Sequence, residues 1–134
     1  MKNSGKMVLV FDCGATNIRV IAIDINGKIV AGKSYPNKVS KDPYFNGGLI
    51  WDVEEIWEKL CDASLQVTSQ INKEDIAGVT FTTFGVDGAL FDRNGEMLYP
   101  VISWQCNRTN AIMAAIEPLY PDGGALQYER NLSI

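Results

Sequence analysis

The residues Val8-Leu-Val-Phe11 are apolar without alternation, the pattern of a central strand covered on both faces, and Asp12 stops the run at its carboxyl end. A Gly/Ala/Thr/Asn turn follows, and Ile18-Arg-Val-Ile-Ala-Ile23 resumes as a β-branched strand. Asn26-Gly27, set between Ile21-Ala-Ile-Asp24 and Lys28-Ile-Val-Ala31, is a strong signal for a two-residue β-turn, so three strands are expected to run antiparallel. From Tyr35 to Gly48, two prolines, two adjacent glycines and many polar side chains predict a loop across a surface or a cleft mouth. Asp52 then reads as a helix N-cap, with Glu55 as the return half of a capping box. Val53, Ile56, Trp57, Leu60, Cys61, Val67 and Ile71 recur at three-to-four spacing, which predicts an amphipathic helix to about Ile71. Cys61 falls in its apolar face, and Trp51 and Trp57 read as packing residues.

Ile76-Ala-Gly-Val-Thr-Phe-Thr-Thr83 alternates as a strand and runs into Phe84-Gly-Val-Asp-Gly88. A helix between two strands implies a crossover, so this strand should lie parallel to the first with the helix on one face. The expected fold is α/β, a mixed sheet of three antiparallel N-terminal strands plus one parallel strand. A second hairpin is predicted around Asn94-Gly95, between Ala89–Asp92 and Glu96–Tyr99. Pro100–Trp104 leads into a short helix, Asn107–Ile116, which Pro118 should end. A turn is expected at Tyr120–Gly124 and little order toward Ile134, giving an ordered core of about 7–117 and a tail of 118–134.

At 134 residues and 46% hydrophobic content the chain suffices for one domain with a genuine core. A net charge of -4, without any run of Lys or Arg, argues against nucleic acid or an anionic membrane as the main partner. No apolar segment approaches a membrane span or a signal peptide, so a cytoplasmic protein is expected. The three cysteines have no Cys-x-x-Cys spacing and the chain has no histidine, which removes both a zinc set and triad-type nucleophilic machinery. Any proton transfer falls to a carboxylate. Cys13 and Cys106 lie inside motifs described next, where their oxidation would affect the site.

Three segments end a strand in polar and glycine residues: Asp12–Asn17, Gly85–Gly88 and Trp104–Arg108. In an open α/β sheet, ligands bind beyond the carboxyl ends of strands, so the three should converge. In the first, Gly14 permits a positive φ and close approach to a ligand, while Thr16, Asn17, nearby backbone N–H groups and Arg19 supply donors for phosphate oxygens. A Walker loop or a Rossmann fingerprint would lead into a helix, and the β-branched residues after Asn17 exclude both. Asp12 suits a Mg²⁺ ion held through a water, or else merely caps a tight turn. In the second, Gly85 and Gly88 let the backbone come close to a ligand and Asp87 offers acceptors for vicinal hydroxyls, the alternative being a turn residue bonded locally. In the third, Trp104 offers an indole face to a sugar, and Gln105 and Arg108 offer hydrogen bonds to hydroxyls. The bland reading of Arg108 is a solvated residue in a helix's first turn, where a nearby group must compensate its charge.

Asp12-x-Gly14-x-Thr16-x-x-Arg19, Thr82-Thr-Phe-Gly-Val-Asp-Gly-Ala-Leu-Phe-Asp92 and Leu98-Tyr-Pro-Val-Ile-Ser-Trp-Gln-Cys-Asn-Arg-Thr109 together resemble the amino-terminal part of the FGGY carbohydrate kinases. The resemblance covers roughly Met7 to Ile116. It implies a ribonuclease-H-like, actin-like domain and an enzyme that uses ATP and Mg²⁺ to phosphorylate L-fuculose, or a related ketose, at the 1-hydroxyl. Carried over residue by residue, Asp12, Gly14, Ala15, Thr16, Asn17 and Arg19 belong to the phosphate end, and Gly85, Asp87, Trp104 and Arg108 to the sugar end. Ala15 departs from the threonine that many members carry. Rhamnulose, xylulose and glycerol kinases share the Asp-x-Gly loop, which cannot choose among them. The resemblance places the general-base aspartate and the adenosine site beyond the matched region, so the expectation is a partial domain, inactive alone, that could self-associate through exposed sheet edge or core face. A short non-catalytic actin-like module that binds a sugar or nucleotide is the alternative.

Overall fold

The structure is a computed structural model that describes residues 5–116. The helix stop at Pro118, the turn at Tyr120–Gly124 and the tail 118–134 lie outside the described residues. In chain order the elements are β1 (Met7–Cys13), β2 (Asn17–Asp24), β3 (Ile29–Pro36), β4 (Ser40–Lys41), β5 (Leu49–Trp51), α1 (Val53–Thr68), β6 (Ile76–Thr82), β7 (Val101–Ile102) and α2 (Asn110–Ile116). Single 3-10 turns precede β6 and α2, at Lys73–Asp75 and Asn107–Thr109.

The main sheet has the order β3-β2-β1-β6. β1 pairs antiparallel with β2 and parallel with β6, and β2 pairs antiparallel with β3. This is the mixed sheet expected from two local turn signals and one helical crossover. One face carries Leu9, Ile18, Val20, Ala22 and Ala31, which bury against Leu60, Ala63 and Val67 of α1. The register sets Val79 beside Leu9 and Phe81 beside Phe11, on that same face. Yet α1 lies over β2 and β3, so Val79 and Phe81 stay 53% and 64% exposed. Phe81 stacks on Phe11 with ring centroids 4.9 Å apart.

Several expectations change. Asp52 does cap α1, accepting the Glu55 N–H at 3.0 Å, but the Glu55 carboxylate pairs with Lys59 one turn on instead of returning to the cap. α1 ends at Thr68, and Ile71 packs against the core from beyond it. Cys61 is exposed, not core, and Trp57 is 61% exposed. The apolar stripe read from spacing is wider than the strip of sheet that the helix covers, so only its centre is buried. Asn94-Gly95 turns as expected, with Gly95 at φ 85°, but the flanking segments form one isolated bridge, Phe91 with Met97, and no extended ladder.

The expected loop from Tyr35 to Gly48 holds more order than its composition suggests. β3 continues to Pro36, and β4 pairs with β5, whose other edge takes β7. This second, three-stranded sheet, β4-β5-β7, is built from strands too short to show any period. Among the described residues, no helix is long and apolar enough to cross a membrane.

Leu60→Ala should cost about 2–5 kcal/mol in urea unfolding, whereas Trp57→Ala should stay within about 0.5 kcal/mol. Equal losses would mean that the buried face of α1 is misassigned.

Candidate functional site

Asp12 lies in the last turn of pleat of β1, with Arg19 of β2 on one side and Thr82 of β6 on the other. Cross-strand placement lets Arg19 Nε donate to Asp12 Oδ2 at 2.8 Å, and its Nη2 reaches the same oxygen. Asp12 Oδ1 accepts no hydrogen bond among the described residues, and the Asp12 side chain is 21% exposed. The turn beyond closes through Gly14 N–H donating to Asn17 O at 2.9 Å. Gly14 does not adopt the positive φ expected of it; its requirement is room, since a Cβ would sit 3.0 Å from that same Asn17 oxygen. Ala15 is half-buried, and Thr16 and Asn17 are exposed, available as donors.

One residue that holds this turn escaped the sequence reading. Asn37 donates its side-chain amide to Gly14 O at 2.9 Å and its backbone N–H to Thr16 O at 2.8 Å. An asparagine after a proline in a polar stretch looks like any loop residue, so no local signal marks it. Burial, and secondarily the charge of Asp12, push the Cys13 thiol pKa up, which keeps it protonated and disfavours thiolate oxidation.

The other two segments meet around β5. Trp51, 2% exposed, stacks on Phe84 at 4.4 Å with the rings 6° from parallel, and its indole N–H donates to Asp87 Oδ2. The backbone of the same residue pairs with Val101 of β7, and Ser103 N–H donates to Leu49 O at 3.0 Å. The strand that delivers Trp104 is therefore docked on the strand that holds Asp87. Trp104 is 58% exposed, an open indole face. Gly85 and Gly88 are exposed, and a Cβ at either would meet nothing within 4 Å, so the chain's own packing does not demand glycine there. Among the described residues, no hydrogen bond or ion pair joins the Asp12–Asn17 turn to Asp87 or Arg108.

Arg108 is not a solvated helix residue. Its Nη2 donates to Asp42, whose side chain is fully buried, its Nε donates to Cys106 Sγ at 3.2 Å, and its guanidinium lies over the rings of Phe45 and Tyr99 at 4.6 and 5.7 Å. Asp42 also accepts from Tyr99 Oη at 2.8 and 2.9 Å and from the Tyr44 N–H at 2.8 Å. Gly48 closes over the pair so tightly that a Cβ would fall 2.7 Å from the guanidinium. Asp42 supplies the compensating charge that Arg108 requires, from 66 residues away in the chain.

Residues 7–128 match the N-terminal domain of the FGGY family of carbohydrate kinases. The chain belongs to that family. It is 43% identical to the L-fuculokinase of Haemophilus influenzae over 93% of this chain and 29% of that protein. It is 46% identical to the L-fuculokinase of Escherichia coli K12 over 85% of this chain and 24% of that protein. The chain thus spans about a quarter of the length of the curated relatives it matches. Among solved structures, gluconate kinase from Lactobacillus acidophilus superposes with a TM-score of 0.76 at 23% identity, covering 94% of this chain and 24% of that one. At that identity the likeness concerns the fold, and it agrees with the mixed sheet described above.

In this FGGY domain the electrostatics concentrate on Asp42 and Arg108. Burial pushes the Asp42 carboxyl up, but the Tyr44 N–H, the Tyr99 hydroxyl and the Arg108 guanidinium outweigh it, taking it from 3.8 down to about 2. The hydrogen bond from Arg108 lowers the Cys106 thiol pKa in turn. A carboxyl whose folded pKa is depressed contributes stability above its unfolded pKa, and that stability is lost as pH falls through the folded value. Asp24 and Asp92, each lowered chiefly by a backbone N–H within its turn, act in the same direction. Asp42→Asn should therefore lower the thermal midpoint at neutral pH and flatten, without abolishing, the fall in urea midpoint between pH 3.8 and about 2. An acid limb unchanged in slope would show that Asp42 is not the group lost there.

Proposed function

We propose that this chain supplies the phosphate wall and the sugar wall of an ATP-dependent kinase that phosphorylates L-fuculose, or a related ketose, at its 1-hydroxyl. What supports the reading is that the 43% identity to the L-fuculokinase of Haemophilus influenzae is measured over 93% of this chain, a stretch long enough to take in both the Asp12–Arg19 turn and the Asp87 and Trp104–Arg108 segments. The backbone N–H of Ala15, the side chains of Thr16 and Asn17, and Arg19 present donors to phosphate oxygens, while Gly14, its own N–H bonded to Asn17 O, shapes the turn that carries them. Asp87 accepts from sugar hydroxyls, Trp104 covers a C–H face, and Arg108, held by Asp42, donates to a hydroxyl from a fixed position. Gly85 and Gly88, exposed and without neighbours at the Cβ position, keep space for the sugar open.

Asp12 fits a Mg²⁺ site of the kind that forms only with substrate. Its Oδ1 is unpartnered while Arg19 occupies Oδ2, and no group of three or more carboxylate, thiol or imidazole ligands is present among the described residues. A lone carboxylate reaching Mg²⁺ through water, with phosphates completing the shell, suits an ion that dehydrates reluctantly. Bound there, the ion would neutralise charge on the transferring phosphoryl group. The residues of this chain orient and neutralise. The carboxylate that takes the proton of the sugar hydroxyl, and the adenosine site, belong to a facing wall. Such a kinase works in the cytoplasm, where ATP is supplied.

Phosphoryl transfer is almost entirely positioning and charge stabilisation between closing walls, so one wall alone should turn over negligibly. In a coupled assay the 134-residue chain should show no ketose-dependent ATP consumption. The full-length kinase should favour L-fuculose in a panel of ketoses and polyols. Asp87→Ala in that enzyme should lower kcat/KM for the sugar about 10- to 100-fold, the equivalent of one hydrogen bond to a charged group. Kinase-like turnover by this chain alone, or a sugar-independent effect of Asp87→Ala, would overturn the reading.

A further inference from the structure

The geometry points to Trp51 as the positioning residue for Asp87, and hence as a determinant of sugar recognition that touches no sugar itself. This rests on the assignment of Asp87 to the sugar wall. Asp87 sits in a stretch with no regular structure, between the end of β6 and the hairpin at Asn94-Gly95, where a carboxylate on its own would sample several rotamers. The indole N–H of Trp51 fixes one of its oxygens, Oδ2. Oδ1 accepts nothing among the described residues and is left for a ligand. An ionised acceptor makes such a bond stronger than a neutral pair.

Trp51 can hold that position because it is itself fixed three ways. Its ring is buried and lies flat on Phe84, three residues before Asp87. Its backbone is paired to Val101, three residues before Trp104. It directly precedes Asp52, the N-cap of α1. One rigid residue therefore sets the carboxylate and shares a strand pair with the segment that carries the stacking indole. Ordering Asp87 before the sugar arrives removes part of the entropy cost of binding it.

The bond is tested first in this chain by two-dimensional ¹H–¹⁵N NMR of the indole N–H groups. Asp87→Asn should move the cross-peak that Trp51→Phe removes, and leave that of the exposed Trp57 in place. A Trp51 peak that does not move overturns the proposal whatever the enzyme does. The second arm uses the full-length kinase. Trp51→Phe keeps a ring to stack on Phe84 and deletes only the donor, so the sugar KM should rise about 10-fold with the ATP KM unchanged. In an Asp87→Ala background, which leaves the indole N–H no acceptor at that position, the same substitution should add little, because a residue that acts through Asp87 has nothing left to position. Additive effects, or equal losses for sugar and ATP, assign Trp51 a packing role and sink the idea. If Trp51→Phe does not fold, the indole shift in Asp87→Asn, where Trp51 is intact, still decides. A full-length protein that phosphorylates no ketose defeats the kinase reading, and the same indole shift decides this one separately.

Discussion

The parallel pairing of β1 with β6 is the constraint from which the site follows. Two parallel neighbours cannot be joined by a tight turn, so the chain must cross over, and α1 is that crossing. Because both strands run the same way, both release the chain at the same edge of the sheet. The turn after Asp12 and the segment from Phe84 to Gly88 leave the sheet side by side for this reason alone, with Asp12 and Thr82 as register partners. β2, antiparallel to β1, then brings Arg19 back to face Asp12, so a carboxylate and its counter-charge are set by strand register and not by any loop.

The second wall depends on a different device. β4, β5 and β7 contribute two, three and two residues, too few for a sheet to be stable from its ladder alone. What fixes it is polar and aromatic: the Asp42–Arg108 pair with Tyr99, Phe45 and Tyr44 around it, and Trp51 flat against Phe84. Breaking either partner of a buried ion pair leaves an uncompensated charge, which ties the fold of this wall to the orientation of Arg108. The same arginine thus locks Asp42, Cys106 and the rings of Phe45 and Tyr99 together.

Local chemistry explains what could be read from the sequence. Asn26-Gly27 and Asn94-Gly95 announce turns by the conformations that only such residues adopt cheaply, Asp52 announces a helix start, and an apolar run after a helix announces a crossover strand. These signals gave the main sheet and its topology. The smaller sheet was not legible because strands of two or three residues have no period. The partners of the site residues were not legible either, since Asp42 meets Arg108 and Trp51 meets Asp87 across 66 and 36 residues of chain. Nothing within the motif at Trp104–Arg108 says that an aspartate in a proline- and glycine-rich stretch will neutralise it. Cys61 and Trp57 were misread for the opposite reason: periodicity reports which side of a helix is apolar, not how much sheet is there to cover it.

The two walls also differ in how their order is maintained. The main sheet draws on a continuous apolar core, so its strands should open only when the domain unfolds as a whole. The small sheet has few ladder bonds, and what is buried around it, Ile50, Trp51, Ser103, Cys106 and the Asp42 side chain, lies outside that core. Trp51 ties the two together: its backbone pairs with Val101 of β7, and it directly precedes Asp52, the cap of the helix that packs on the main sheet. The order of the small sheet thus rests on the ionised state of one buried carboxylate, Asp42, where that of the main sheet rests on apolar contact.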